Sequence, residues 1–339
     1  MWLLAVVVVA SVSCMKVLDH NDDICDYTVQ IYYHYNQENT SGSVNMIEHH
    51  VFTIDEYIFD EGGVLVAINP VDRDVCDGTW HSDLDLPPGK YTVISVGNRD
   101  ARSFIGDRGN GNAAPVRGVT RRGDMTLTHT NTVAYADHSE RLYYGYRTFS
   151  VEPNNVSKIR MDMVHSHHVL RFRIRWKRNA PPMGDYTATM SFIPSEYTLM
   201  PHYVYPEQYQ CETHDPNTHD EYNRICQAVR HHIPTVHQDR NILNHKVNLK
   251  RNVDGEIRGE FIMYRIKNES TPTMALFSGS SPAGTQIMKD INLQKYFSDR
   301  NINLDQTLKQ EYDIDILIDD GSVFVSPINV ADWNDGGKL

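Results

Sequence analysis

The chain carries many side chains capable of chemistry: 17 histidines, 44 carboxylates and five cysteines among 339 residues. The densest histidine group is His165, His167 and His168. On a strand or tight turn His165 and His167 share a face, so two imidazoles could begin a metal site. A zinc site needs three or four convergent ligands, and no HExxH or companion carboxylate supplies the remainder. The segment therefore reads as a solvated turn, and no metal is expected. His49-His50 and His231-His232 are weaker candidates on the same grounds. Acyl-transfer chemistry has no GxSxG elbow and no ordered Ser, His and Asp set behind it. Asp83/Asp85 and Asp313/Asp315 could be imagined as glycosidase pairs, but each alternates with apolar residues and reads as the wet face of a strand. Gly106–Asn112 (GDRGNGN) lacks a Walker lysine and a strand-to-helix setting, so it is not a phosphate cradle. Neither an enzyme nor a cofactor is expected. Tyr203, Tyr205 and Tyr209 leave a different reading open. On a loop they could stack on sugar rings; alternatively they pack an insert onto the body of the protein.

The cysteines divide by position. Trp2–Val12 is an apolar run too short to span a bilayer but suited to a signal peptide. It ends in Ser11-Val12-Ser13-Cys14, the arrangement of a bacterial lipoprotein signal with Cys14 as the lipidated residue. No Lys or Arg precedes the apolar core, and Ser11 stands where leucine is usual, so plain secretion is the alternative. Residues 1–13 thus read as a signal peptide and 14–24 as an acidic tether. Among the other four cysteines, Cys211 and Cys226 are the first disulfide candidate, worth about 3 kcal/mol in the chain-entropy model. Cys25 and Cys76 are the second candidate pair. A net charge of −12 argues against a nucleic-acid partner.

The elements that must position these residues are strands. From Val51 the chain runs VFTIDEYIFDEGGVLVAI, with apolar residues at period two and Glu56 as the one polar break. Asp60-Glu61-Gly62-Gly63 supplies a hairpin turn. Leu84 and Leu86 alternate with Asp83 and Asp85, and Pro87-Pro88-Gly89 turns the chain into Tyr91–Val96. Further strands are expected at Tyr27–Tyr35, Met125–His129, Leu142–Val151, Val156–Val164 and Val169–Trp176, with Asn98–Arg122 a long loop. Lys177–Gly184 is polar and proline-bearing and reads as a domain boundary. Beyond it, Tyr186–Phe192, Val247–Leu249, Glu256–Lys267, Tyr312–Ile318 and Val323–Trp333 are expected strands, Gln286–Phe297 a short helix, and Pro194–Asp239 irregular. The expected fold is all-β: two tandem β-sandwich domains (transthyretin-like, Greek-key), spanning 25–177 and 184–339, with short helices in the second.

The order and spacing of Phe59-Asp60-Glu61-Gly62-Gly63 and Leu86–Tyr91, behind that leader, resemble the FimB-type fimbrial anchor lipoproteins, which accompany fimbrillins. Tyr144-Gly145 and the terminal Ala331-Asp332-Trp333 are similar to later parts of the same family. The resemblance implies a structural protein that anchors a fimbrium to the outer membrane through lipid on Cys14 and limits its length. Its implied partners are the fimbrial shaft subunits, met by strand addition. The expected partner strand is the last one, with Val323, Val325, Ile328 and Val330 filling pockets. A glycan-binding surface lipoprotein is the alternative.

Overall fold

The computed structural model describes residues 28–35, 45–72, 81–130, 134–204, 231–307 and 309–327. Its first strands are β1 (Val29–His34), β2 (Thr53–Asp60), β3 (Leu65–Asp72), β4 (His81–Leu84) and β5 (Gly89–Gly97), with helix α1 (Ile47–His50) before β2. β6 (Ser103–Asp107), β7 (Met125–His129), β8 (Tyr143–Val151), β9 (Ser157–Asp162), β10 (Val164–His165) and β11 (His167–Trp176) follow. A long hairpin comes next, β12 (Asp185–Val204) and β13 (His231–Lys250), then β14 (Ile257–Tyr264) and β15 (Thr273–Ser278). β16 (Gln286–Asn292), α2 (Leu293–Ser298), β17 (Glu311–Asp319) and β18 (Ser322–Pro327) complete the described chain.

Four sheets form two facing pairs. The first pair is β4-β1-β9 against β10-β8-β5-β2-β3. The second is β14-β11-β17-β18 with β16-β15-β12-β7-β6, β13 also pairing β12. Period-two side chains explain the layering. On β2, Ile54 and Ile58 enter the core of the first pair, where Val29, Ile31 and Val93 wait. Tyr57 and Phe59, on the opposite face, join the larger core with Leu170, Phe172, Tyr186, Phe261 and Ile316. The five-stranded sheet is therefore a middle layer buried on both faces. A strand so placed reads as a nearly continuous apolar run, which is what Tyr57-Ile58-Phe59 shows. The all-β expectation holds.

Several element expectations need correction. Val169–Trp176, expected to close the first sandwich, lies in β11 and pairs with β14 and, in parallel, with β17. Its alternation only required a half-buried strand and did not say which sheet would receive it. The chain crosses between the sheet pairs more than once, and the last crossing among the described residues is at Ser166, between β10 and β11. Within the expected loop 98–122 lies β6, which pairs β7 and joins the second pair. Gln286–Asn292 is a strand, and only Leu293–Ser298 is helical. Pro194–Val204 and His231–Asp239 are extended, because bulges in β12 between Met190 and Ile193, Pro194 and Glu196, and Thr198 and Pro201 accommodate both prolines. A short helix also occurs in the first half, at Ile47–His50.

Candidate functional site

Among the described residues, the last strand builds an open edge. β17 alternates in side-chain type: Tyr312, Ile314, Ile316 and Ile318 are buried on one face, while Glu311, Asp313 and Asp319 are half-buried on the other, where Asp315 is buried as well. Asp320 (φ 47°) and Gly321 (φ 79°) both take the left-handed backbone of a two-residue hairpin turn. β18 then pairs with β17 from Asp319↔Ser322 to Ile314↔Pro327. Val323 and Val325 turn inward against the main core, and Phe324 stands 57% exposed. β18 is the last strand of its sheet, and β16 is the last strand of the facing sheet. Between these two edges lies a groove of about 470 Å³ lined by Gln286, Ile287, Met288, Lys289, Asp290, Ile318, Gly321 and Val323. Its floor is apolar and its rim carries one charge of each sign. Arg300 Nη2 donates to the Val325 carbonyl at 3.3 Å, a contact an incoming strand would displace.

Another edge is closed by contrast. β3 is terminal in its sheet, but the segment after β6 covers its start: Leu65 N–H donates to the Thr120 carbonyl and Gly118 N–H to the Leu65 carbonyl, at 2.9 and 2.8 Å. Pro70 lacks a donor farther along the strand. Such covering suppresses edge-to-edge pairing; β18 has Pro327 at its end and Arg300 on one carbonyl, but among the described residues no segment runs along it.

Charge lies on the outer face beside the groove. Arg171 meets Glu311 at 2.7 Å, and Arg173 meets Asp315 at 2.9 Å, with Arg175 on the same carboxylate. Burial works against the charge on Asp315, but Arg175 and Arg173 outweigh it and hold this carboxyl below its usual range. Asp313 shifts upward, burial outweighing Arg171. The Asp313/Asp315 pair is thus a cross-strand ion ladder, half-sunk among arginines. Asp83 and Asp85 are exposed as expected, and Asp83 accepts from Gln30 at 3.0 Å.

Two buried polar clusters were not legible as sites. Glu56 is fully buried and accepts from Tyr33 Oη, Ser82 Oγ and Asn69 Nδ2, the last at 2.6 Å. Burial raises its carboxyl above the ordinary range, although the three donors oppose the shift. The polar break in an apolar strand was the available signal. His165, His167 and His168 form no solvated turn, because all three are buried. His165 and His167 pack ring to ring, 4.8 Å between centroids, against Tyr143, and Tyr35 closes over His165. The described residues contain no group of three or more His, Cys, Asp or Glu arranged to hold a metal ion.

Cys14, Cys25, Cys76, Cys211 and Cys226 lie outside the described residues, as do Ile328, Val330, Tyr205 and Tyr209. Tyr203 has its backbone in β12, paired with His232 of β13. Among the described residues no helix is long and apolar enough to cross a membrane.

Comparison with known proteins places this architecture. No curated protein sequence matches the chain. Among solved structures, the fimbrial anchor protein Mfa2 from Porphyromonas gingivalis is 16% identical, with a TM-score of 0.58 over 88% of this chain and 94% of that one. A candidate polysaccharide-binding protein from Bacteroides thetaiotaomicron is 12% identical, with a TM-score of 0.61 over 89% and 98%. A candidate adhesin from Bacteroides ovatus is 11% identical, with a TM-score of 0.61 over 89% and 93%. At such identities the likeness shows the fold alone. The family model for the fimbrillin-A associated anchor proteins Mfa1 and Mfa2 matches residues 21–334, nearly the whole chain. The chain belongs to the fimbrillin-A associated anchor protein family.

Proposed function

We propose that this protein is an outer-membrane lipoprotein that anchors a fimbrium to the cell surface, limits its length, and holds the shaft subunit by strand addition at β18. Membership of the anchor family supports the general role. The observation that carries the strand reading is the pairing of two open edges, β16 and β18, over an apolar groove. In strand addition, main-chain bonds give affinity and pockets for alternate side chains give specificity. Here β18 offers an edge that no described strand pairs, and Ile287, Met288, Ile318 and Val323 offer the pocket. Lipid on Cys14, behind the short apolar leader, is the proposed membrane attachment. Two acyl signals suffice for stable anchoring where one does not. The two sheet pairs are proposed as two domains. Glycan binding remains the second reading; it rests on Tyr205 and Tyr209, which lie outside the described residues, and is ranked below.

The test is a charge placed on β18, next along the inward face from the groove residue Val323. Val325→Asp, checked first for an unchanged melting temperature, should lose capture of purified shaft subunit while a Cys14-dependent membrane fraction is retained. A folded Val325→Asp protein that captures shaft subunit as the parent does removes β18 from the interface.

A further inference from the structure

The corner where the chain crosses between the sheet pairs is built from neutral imidazoles. His167 Nδ1 lies 2.8 Å from the Leu142 carbonyl. A carbonyl only accepts, so Nδ1 carries the proton and Nε2 presents a bare lone pair. That Nε2 is buried and has no hydrogen-bond partner among the described residues. His165 Nε2 is 2.5 Å from Tyr35 Oη, and its ring sits between those of Tyr35 and His167. His50 of α1 closes the cage by packing on Tyr35, 5.0 Å between centroids. The corner thus joins the end of β1, α1 and β8 in the first sheet pair to β11 in the second.

A proton added here would find no carboxylate in contact among the described residues. The charged and titratable groups that face the two rings are Arg141 before β8, His50 of α1, Arg265 after β14 and Glu311 at the start of β17. Glu311 is the sole acid among them, and Arg171 and Arg141 already engage it. A second proton on the neighbouring imidazole would add like-charge repulsion.

We propose that this corner is an acid-sensitive latch: closed with His165 and His167 neutral, and loosened when either takes up a proton. The closed state disfavours protonation through burial first, which lowers His167 to about 4 and His165 in the same direction. An imidazole released to solvent returns to about 6.5. Linkage then gives the sign. The open state binds more protons below pH 6.5, so acid favours opening. For His167 alone, going from about 4 to about 6.5 favours opening roughly 20-fold at pH 5 relative to pH 7. His168 serves as an internal contrast. Its Nδ1 accepts from Ile266 N–H and its ring packs on Tyr312, both inside the second sheet pair, so opening the corner leaves it buried.

The experiment is amide hydrogen exchange on the full chain at pH 7 and pH 5, corrected for intrinsic rates. Protection over residues 141–144 and 164–166 should fall about 20-fold at pH 5, while His168, and β5 in the first core, keep their protection. His167→Asn keeps a donor for the Leu142 carbonyl and removes the titration, so its acid response should shrink at least tenfold. Equal loss at the corner and β5, or an unchanged response in His167→Asn, would overturn the latch. If that variant does not fold, proton NMR of the unmodified protein decides. A His167 ring titrating near 6.5 with corner protection intact refutes the proposal, and one silent until the corner opens supports it.

Discussion

The two sheet pairs solve the same problem, a strand edge beside an apolar core, in opposite ways. In the first pair the polar group goes inside. Glu56 sits in the core and is bonded to residues of β1, β3 and β4, so both facing sheets are tied through one carboxylate. Its terminal strand β3 is covered by residues 118–122. In the second pair Arg265 is buried on the Leu304 and Thr307 carbonyls, but most charges form the Arg171–Arg173–Arg175 ladder against Glu311 and Asp315 on the outer face. Among the described residues the edges β16 and β18 stand open over an apolar floor. A buried network commits a core to one arrangement, because any rearrangement strands several polar atoms at once. An external ladder stiffens a sheet without closing its edge. The first pair is built as a fixed base, and the second leaves the edges that the proposed strand addition would use.

The sharpest way to break that contrast is at Glu56. Glu56→Ala leaves Tyr33, Ser82 and Asn69 without their acceptor in a dry core, and should destabilise the protein by about 3–5 kcal/mol, read by chemical denaturation. The carboxyl's range is raised on folding, so its contribution is fully present below the ordinary carboxylate range and is lost as pH rises through the folded value. Glu56→Gln should therefore flatten the fall in stability above pH 4.5; an unchanged pH profile would mean that Glu56 titrates as if solvated.

Packing in the second pair gives the next effect. A Cβ on Gly259 would lie 2.6 Å from the Phe172 ring and 2.7 Å from Leu249, so Gly259→Ala should cost about 1–3 kcal/mol by overpacking. A neutral melting temperature would show the β11–β14 contact to be looser than described. The ladder comes third. Asp315→Asn leaves Arg173 and Arg175 facing each other with a neutral amide and should cost about 1–2 kcal/mol. The depressed carboxyl range of Asp315 means that its contribution persists above the ordinary range and is lost as pH falls through the folded value. An Asp315→Asn protein with the same acid midpoint as the parent would remove the ladder from the stability account.

The regions also differed in how well the residues announced them. The β2–β3 hairpin, the buried Leu84 and Leu86 and the alternation of β17 were all legible, because each depends on local turn chemistry and one buried face. Partner choice was not. Val169–Trp176 has the same alternation whichever sheet it joins, and the switch at Ser166 is a single residue long. In β16, Met288 and Ile291 are both buried at a spacing of three, because the β15–β16 register shifts between their partners Leu276 and Met274. A bulge there imitates helical spacing. The histidine cage was missed for a related reason. Polar letters in a row suggest solvent, and only the arrival of Tyr35 and Tyr143 from distant strands makes them a core. The final strand was legible as an alternating segment, whereas the facing edge β16 that completes the groove came from tertiary structure.

The central claim is that the shaft subunit adds a strand at the open edge, and hydrogen exchange on the complex tests it most directly. With saturating shaft subunit, the account predicts slowed exchange in Ser322–Pro327, with weaker slowing in Gln286–Asn292 across the groove and none in β3, whose edge is already covered. Binding that slows β3 or the hairpin end of β12 and leaves Ser322–Pro327 unchanged would contradict it.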